Sequence, residues 1–129
     1  MSELINMIQA ADDFCSIGSA SSSTIANAEK KLKVVFADDY KEYVLNFGAA
    51  TFDGRELTGI CNSNRLNVVS VTEQARQYYP SFPSNAYVIE ELMFDHILII
   101  QDSLGRIYSY GPKDSATQIA KSLKAYLFP

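Results

Sequence analysis

The sequence predicts an α+β fold, a single domain whose mainly antiparallel central sheet is packed by helices. Three observations carry this. Runs with helical spacing come first, strand-like runs cluster in the middle, and an amphipathic run closes the chain. The 129 residues, 47% of them hydrophobic, suit one core. A chain of this length buries roughly two thirds of its unfolded surface without metal or disulfide staples.

Taken in order, Leu4, Ile5, Ile8, Ala11 and Phe14 recur at helical spacing behind Ser2, a good N-cap. Residues 1–15 are therefore expected to form an N-terminal helix. The Ser-rich run over residues 16–23 reads as a flexible connector, making that helix an appendage to the domain over residues 24–129. Thr24 is expected to cap a second helix with Ile25, Ala28 and Leu32 inward. Its lysines, Lys30, Lys31 and Lys33, gather at the C-terminal end, where the helix dipole favours them. In a third helix capped by Asp38, Tyr40, Tyr43, Val44 and Phe47 form one apolar stripe, stopped by Gly48.

Asp53-Gly54 is a turn signal and Glu56 to Cys61 a strand; Asn62 to Asn67 is a loop. Ser70-Val71-Thr72-Glu73 reads as a capping box opening a helix that must end by Pro80. Tyr87-Val88-Ile89 starts a strand, and Ile97 to Ile100 is apolar on both faces, as in a buried central strand. Asp102 to Gly105 turns it into Ile107 to Tyr110. Asp114 is expected to cap a last helix with Ala116, Ile119, Ala120, Leu123 and Leu127 inward.

Composition excludes several function classes. Cys15 and Cys61 are too few for a disulfide framework and are expected as free thiols in a reducing cytoplasm. The N-terminus carries Glu3, Asp12 and Asp13 where a signal peptide needs basic or apolar residues, and no run approaches the ~20 apolar residues of a membrane span. Net charge is −4, and the window from Gln77 to Gly105 contains no Lys or Arg. That window holds Glu90, Glu91, Asp95 and Asp102, while outside it acids and bases balance at eleven each. Such a chain is a poor direct ligand for nucleic acid, whose binding rests on Lys and Arg, and a suitable partner for a basic protein.

Catalytic machinery is missing from the pattern. His96, the only histidine, precedes four apolar residues and is expected to border the sheet. No Ser or Cys motif supplies a nucleophile beside it, the six glycines form no phosphate loop, and no ligand spacing fits a metal. Glu90 with Asp102 is the one acid–base candidate, and acidic pairs on a sheet are commoner as solvated surface. No catalytic residue, metal or cofactor is expected.

Ile25, Ala28, Glu29 and Leu32 in one helix, Asp39, Tyr40, Lys41, Tyr43 and Val44 in the next, Gly48 and then Leu57, Gly59 and Ile60 follow a recognisable order. Together with the Asp102–Gly105 hairpin and the closing helix, they resemble the SUKH superfamily of Smi/Knr-like proteins over nearly the whole chain from Ile25 onward. The resemblance implies a non-catalytic protein-binding domain. Many bacterial members look like cytoplasmic immunity proteins that bind and block a cognate toxin, often a nuclease; eukaryotic relatives look like regulatory scaffolds. A small-molecule-binding module or an unrecognised enzyme would instead need a deep pocket with convergent polar groups.

The basic-free window is the expected binding face. Glu90, Glu91, Asp95 and Asp102 would supply charge against a basic toxin, and some of Tyr78, Tyr79, Tyr87, Tyr108 and Tyr110 would supply aromatic anchors. Of these, alternation sets Tyr108 and Tyr110 on one face of their strand, opposite Ile107. The competing expectation is that the tyrosines are core and the acids solubilise.

Overall fold

The computed structural model describes residues 2–92, 97–111 and 115–129. Among these, the elements run α1 (Glu3–Gln9), β1 (Cys15–Ser16), α2 (Ser22–Leu32), α3 (Asp38–Phe47), β2 (Ala50–Phe52) and β3 (Arg55–Leu57). They continue with α4 (Val68–Tyr78), β4 (Ala86–Glu91), β5 (Leu98–Asp102), β6 (Ile107–Tyr110), β7 (Ala116–Ala120) and α5 (Leu123–Leu127). The strands form two antiparallel sheets, ordered β1-β2-β3 and β4-β5-β6-β7. The fold is α+β, as expected from the element order.

The larger sheet is covered on both faces. Tyr87, Ile89, Ile99 and Ile107 join α1, α2, α3, α5 and the small sheet in the main core. Val88, Leu98, Ile100 and Tyr110 face Val71 and Ala75 of α4, with Phe82 closing a second core. Two apolar neighbours explain why residues 97–100 are uninterruptedly apolar; a one-sided strand would alternate.

The helix α1 is not an appendage. Leu4, Ile5 and Ile8 are buried in the main core. Ser2 caps the helix as expected, accepting from the Ile5 N–H while its hydroxyl donates to Glu42. Nor do residues 16–23 form a free connector: Cys15–Ser16 pairs with Thr51 and Ala50, and Ile17 and Gly18 donate backbone bonds to Ala49 and Phe47. Small side chains there let the strand lie close to its neighbours, a use composition does not distinguish from flexibility.

Helix starts also differ from expectation. Ser21 rather than Thr24 caps α2, with Thr24 returning the bond as the reciprocal partner. Ala37 precedes α3 without a side-chain cap. Asn67 caps α4 by accepting from the Val69 and Ser70 N–H groups, so Ser70 lies inside the first turn. Residues 116–120 are a strand, not a helix: they pair with β6, and α5 begins only after Ser122, which accepts from the Ala125 N–H. Helical spacing and a paired edge strand containing Thr117 and Ile119 are both compatible with this run, and the open ladder of β6 decides it. The expected cap Asp114 and the expected sheet-border residue His96 lie outside the described residues.

Two glycines join the helical layer to the small sheet. Gly48 ends α3 at φ 69°, and its carbonyl accepts from the Ile60 N–H at 2.9 Å. A methyl group on Gly59 would sit 1.8 Å from the Gly48 carbonyl oxygen. The Asp53-Gly54 turn has positive φ at both positions, 51° and 73°, which suits the β2–β3 hairpin.

A satisfied polar chain runs through the main core. The Ala37 N–H donates to the Tyr87 hydroxyl, which donates to Gln101 Oε1; Gln101 Nε2 donates to Asp39 Oδ1 and the Gly105 carbonyl. Asp39 Oδ2 accepts from the Leu123 N–H at 2.9 Å, so one carboxylate ties α3 to both β5 and α5. Burial pushes the phenols of Tyr40 and Tyr87 well above the ordinary tyrosine range, and they stay neutral as hydrogen-bonding core residues.

Candidate functional site

Five of the six residues expected to form a binding face lie among the described residues, and of these Glu90, Asp102 and Tyr110 are buried. Glu90 is only 5% exposed. A register shift between Val88 and Glu90 places Glu90 opposite Ile99, on the main-core side of the sheet. There its carboxylate accepts from the Tyr126 hydroxyl and lies 4.0 Å from Arg55 Nε, while the Arg55 guanidinium stacks 5.4 Å above the Tyr126 ring. Burial, then the Glu90 contact, raises the Tyr126 phenol.

Asp102 is 2% exposed and serves the β5–β6 hairpin. It accepts from Arg106 Nε at 2.8 Å, the Tyr108 hydroxyl at 3.0 Å and the N–H groups of Leu104 and Arg106. Burial pushes this carboxyl up, but the four donors outweigh burial and hold it below its ordinary value. Tyr110 is buried against Tyr79 and Phe82, with its hydroxyl bonded to Ser81. Tyr108 is half-buried beside Asp102. Tyr87 is core. Two of the four acids expected to face outward are thus turned in and met by arginine, and Asp95 lies outside the described residues. Burying a carboxylate without such a partner is unfavourable by several kcal/mol, about 3–5 in most cases.

What the fold does assemble is a groove of about 410 Å³ between the C-terminal half of α4 and the β4–β5 end. Its walls include Gln74, Tyr78, Tyr79, Glu91, Leu92 and Ile97. Tyr78 is 75% exposed, its ring centroid 6.5 Å from that of Tyr79. Glu91 is exposed, and it is the only charged side chain among the described lining residues. The arrangement combines an apolar floor, two phenol rings and one carboxylate. That chemistry suits an aliphatic or cationic group.

Of the residues singled out from sequence, Tyr78, Tyr79 and Glu91 belong to this groove, whereas Leu92, Ile97 and Gln74 were missed. A signal for the α4 wall exists: Val71, Gln74, Ala75 and Tyr78 recur at i, i+3, i+4 and i+7, one face of a helix. Among the described residues no cluster of three or more His, Cys, Asp or Glu could hold a metal, and no helix is long and apolar enough to cross a membrane.

A family model described as SUKH_5, SMI1-KNR4 cell-wall, matches residues 1–128. No curated protein matches the chain.

Proposed function

The chain belongs to the SUKH (SMI1-KNR4) family, and on that premise we propose that it is a non-catalytic protein-binding domain acting as an immunity protein in the cytoplasm. Its partner in this reading is a cognate basic toxin that acts on nucleic acid. One observation carries the choice of face: Tyr78 stands three-quarters exposed beside Glu91 in a groove whose described walls hold no Lys or Arg.

A large aromatic held in water by a folded domain is a ready anchor, since tyrosine buries much area with few rotors to immobilise. A toxin that cleaves nucleic acid carries cationic side chains for phosphates. One of these can lie over the Tyr78 ring against the Glu91 carboxylate, with Leu92 and Ile97 taking its aliphatic stem. Covering that cation removes the toxin's hold on its substrate without any reaction in the immunity protein. Complementary charge also speeds encounter, by about 10–1000-fold at low salt.

Co-expression with the product of the adjacent gene tests the reading. The expected result is rescue of growth and co-purification, both lost in the double variant Tyr78→Ala, Glu91→Lys. A neighbouring product that is harmless alone, and that co-purifies without any growth phenotype, would instead favour a regulatory scaffold of the Smi/Knr type. Turnover of a substrate that disappears with one side-chain change would overturn the non-catalytic reading.

A further inference from the structure

We propose that a second face, a depression between the C-terminal end of α2 and the start of β4, docks an acidic segment of a partner protein that also carries apolar side chains. The depression measures about 750 Å³. Lys30 and Lys33 reach it from α2 and its cap, Arg76 from α4, and Val35 presents an aliphatic side chain at its edge, above the buried Leu32 and Val34. Val35 is 59% exposed, and Leu104, next to the lining residue Ser103, is 74% exposed.

Charge identifies the occupant. The chain as a whole is acidic, at −4, yet this surface gathers three cations. Among the described lining residues the one carboxylate, Glu29, is already engaged, accepting from the Phe36 N–H at 2.9 Å and lying 3.6 Å from Lys41 Nζ. Lysines in the last turn of α2 are accounted for by the helix dipole. Arg76, in the last turn of α4, is accounted for in the same way. The dipoles do not account for two separate helix ends bringing their cations to one depression, where the Arg76 guanidinium donates to the Ser84 carbonyl at 3.4 Å, nor for the exposed Val35. A purely electrostatic surface would have no use for that side chain.

A nucleic acid fits the site less well than an acidic protein segment. Three cations neutralise few phosphates, and the described lining residues include no aromatic ring for a base to stack upon. An extended or helical segment with Asp or Glu flanking Leu, Ile or Val satisfies both halves of the surface at once.

This face is distinct from the Tyr78 groove. Arg76 and Tyr78 are two residues apart on α4, about 200° around the helix axis, so the cationic and aromatic surfaces lie on opposite flanks. One chain can therefore hold a basic and an acidic partner together, and failure of either site leaves the other standing.

The test is fluorescence anisotropy with the full chain and three labelled probes. These are a 12-residue peptide alternating Glu with Leu, an oligoglutamate of equal charge, and a single-stranded oligonucleotide of matched charge. The Glu-Leu peptide is expected to bind at least about tenfold more tightly than either other probe. The variant Lys30→Gln, Lys33→Gln, Arg76→Gln should lose at least about tenfold in affinity. Val35→Ser, a change at an exposed position, should weaken the same peptide while leaving oligoglutamate unaffected, and Tyr78→Ala should change none of these values. Matching melting curves establish that the variants are folded. Equal binding of peptide and oligoglutamate, tighter binding of the oligonucleotide, or no peptide binding at millimolar concentration would each overturn the proposal. So would a self-associated species in sedimentation equilibrium that the triple variant dissolves, because the occupant would then be a second copy of this chain.

Discussion

At the residue scale, backbone proximity and buried donors decide what each position tolerates. Gly59 is required by its neighbour: a methyl group there meets the Gly48 carbonyl at 1.8 Å, and backbone cannot step aside as a flexible side chain does. Gly59→Ala is expected to lower stability by about 3 kcal/mol or more, read from the urea midpoint. Asp102 shows how a carboxylate can be acidic in character and yet unavailable. Its folded pKa is depressed, so its contribution is present above the ordinary aspartate range and is lost as pH falls through the lower folded value. Asp102→Asn should lower the urea midpoint at neutral pH, and the gap to the unaltered protein should close on acidification. A gap unchanged between neutral pH and strongly acidic conditions would contradict that account.

At the element scale, the surprises lie where a segment's own pattern is compatible with two structures. Apolar spacing in α1 and the Ser-rich run after it suit either a loose appendage or a packed helix followed by a short strand. The core had a vacancy that Leu4, Ile5 and Ile8 fill. Ile8→Ala is therefore expected to destabilise the whole domain by about 2–5 kcal/mol in a single cooperative transition. An appendage would show a change within about 0.5 kcal/mol. The run over residues 116–120 is the opposite case, where a helical spacing gave way to strand pairing beside β6. By contrast the buried face of α3 was legible, though its expected Asp38 cap was not found. Tyr40, Tyr43, Val44 and Phe47 form its buried face, because a stripe repeated over two turns fixes both the helix and its orientation.

At the scale of the whole molecule, surface polarity follows from the topology more than from the charge count. The window without bases suggested an acidic patch, yet Glu90 and Asp102 are folded inward against Arg55 and Arg106. Among the window's acids in the described residues, Glu91 is left exposed. Two neighbouring acids should thus respond differently. Glu90→Lys places a cation beside Arg55 in a buried site and is expected to lose about 3 kcal/mol or more of stability. Glu91→Lys should leave the melting temperature within a few degrees while slowing association with a basic partner and flattening its salt dependence. Tyr78→Ala should raise the dissociation constant of that partner at least about tenfold, mainly through faster dissociation. Equal effects of the two Glu changes on stability would mean that the bulge in β4 does not bury Glu90 as described.

By itself the sequence determined the α+β class, the family resemblance from Ile25 onward and the doubly covered central strand. Each rests on local periodicity or on residue types that are present or missing. Tertiary structure decided which acids meet arginines, where the chain pairs as strand instead of coiling as helix, and which tyrosines remain in water. Those outcomes depend on partners far apart in the chain, such as Glu90 with Arg55 and Tyr126, or Asp39 with Gln101 and Leu123. A one-residue bulge reverses the face of everything beyond it, and no local pattern in β4 announces that bulge.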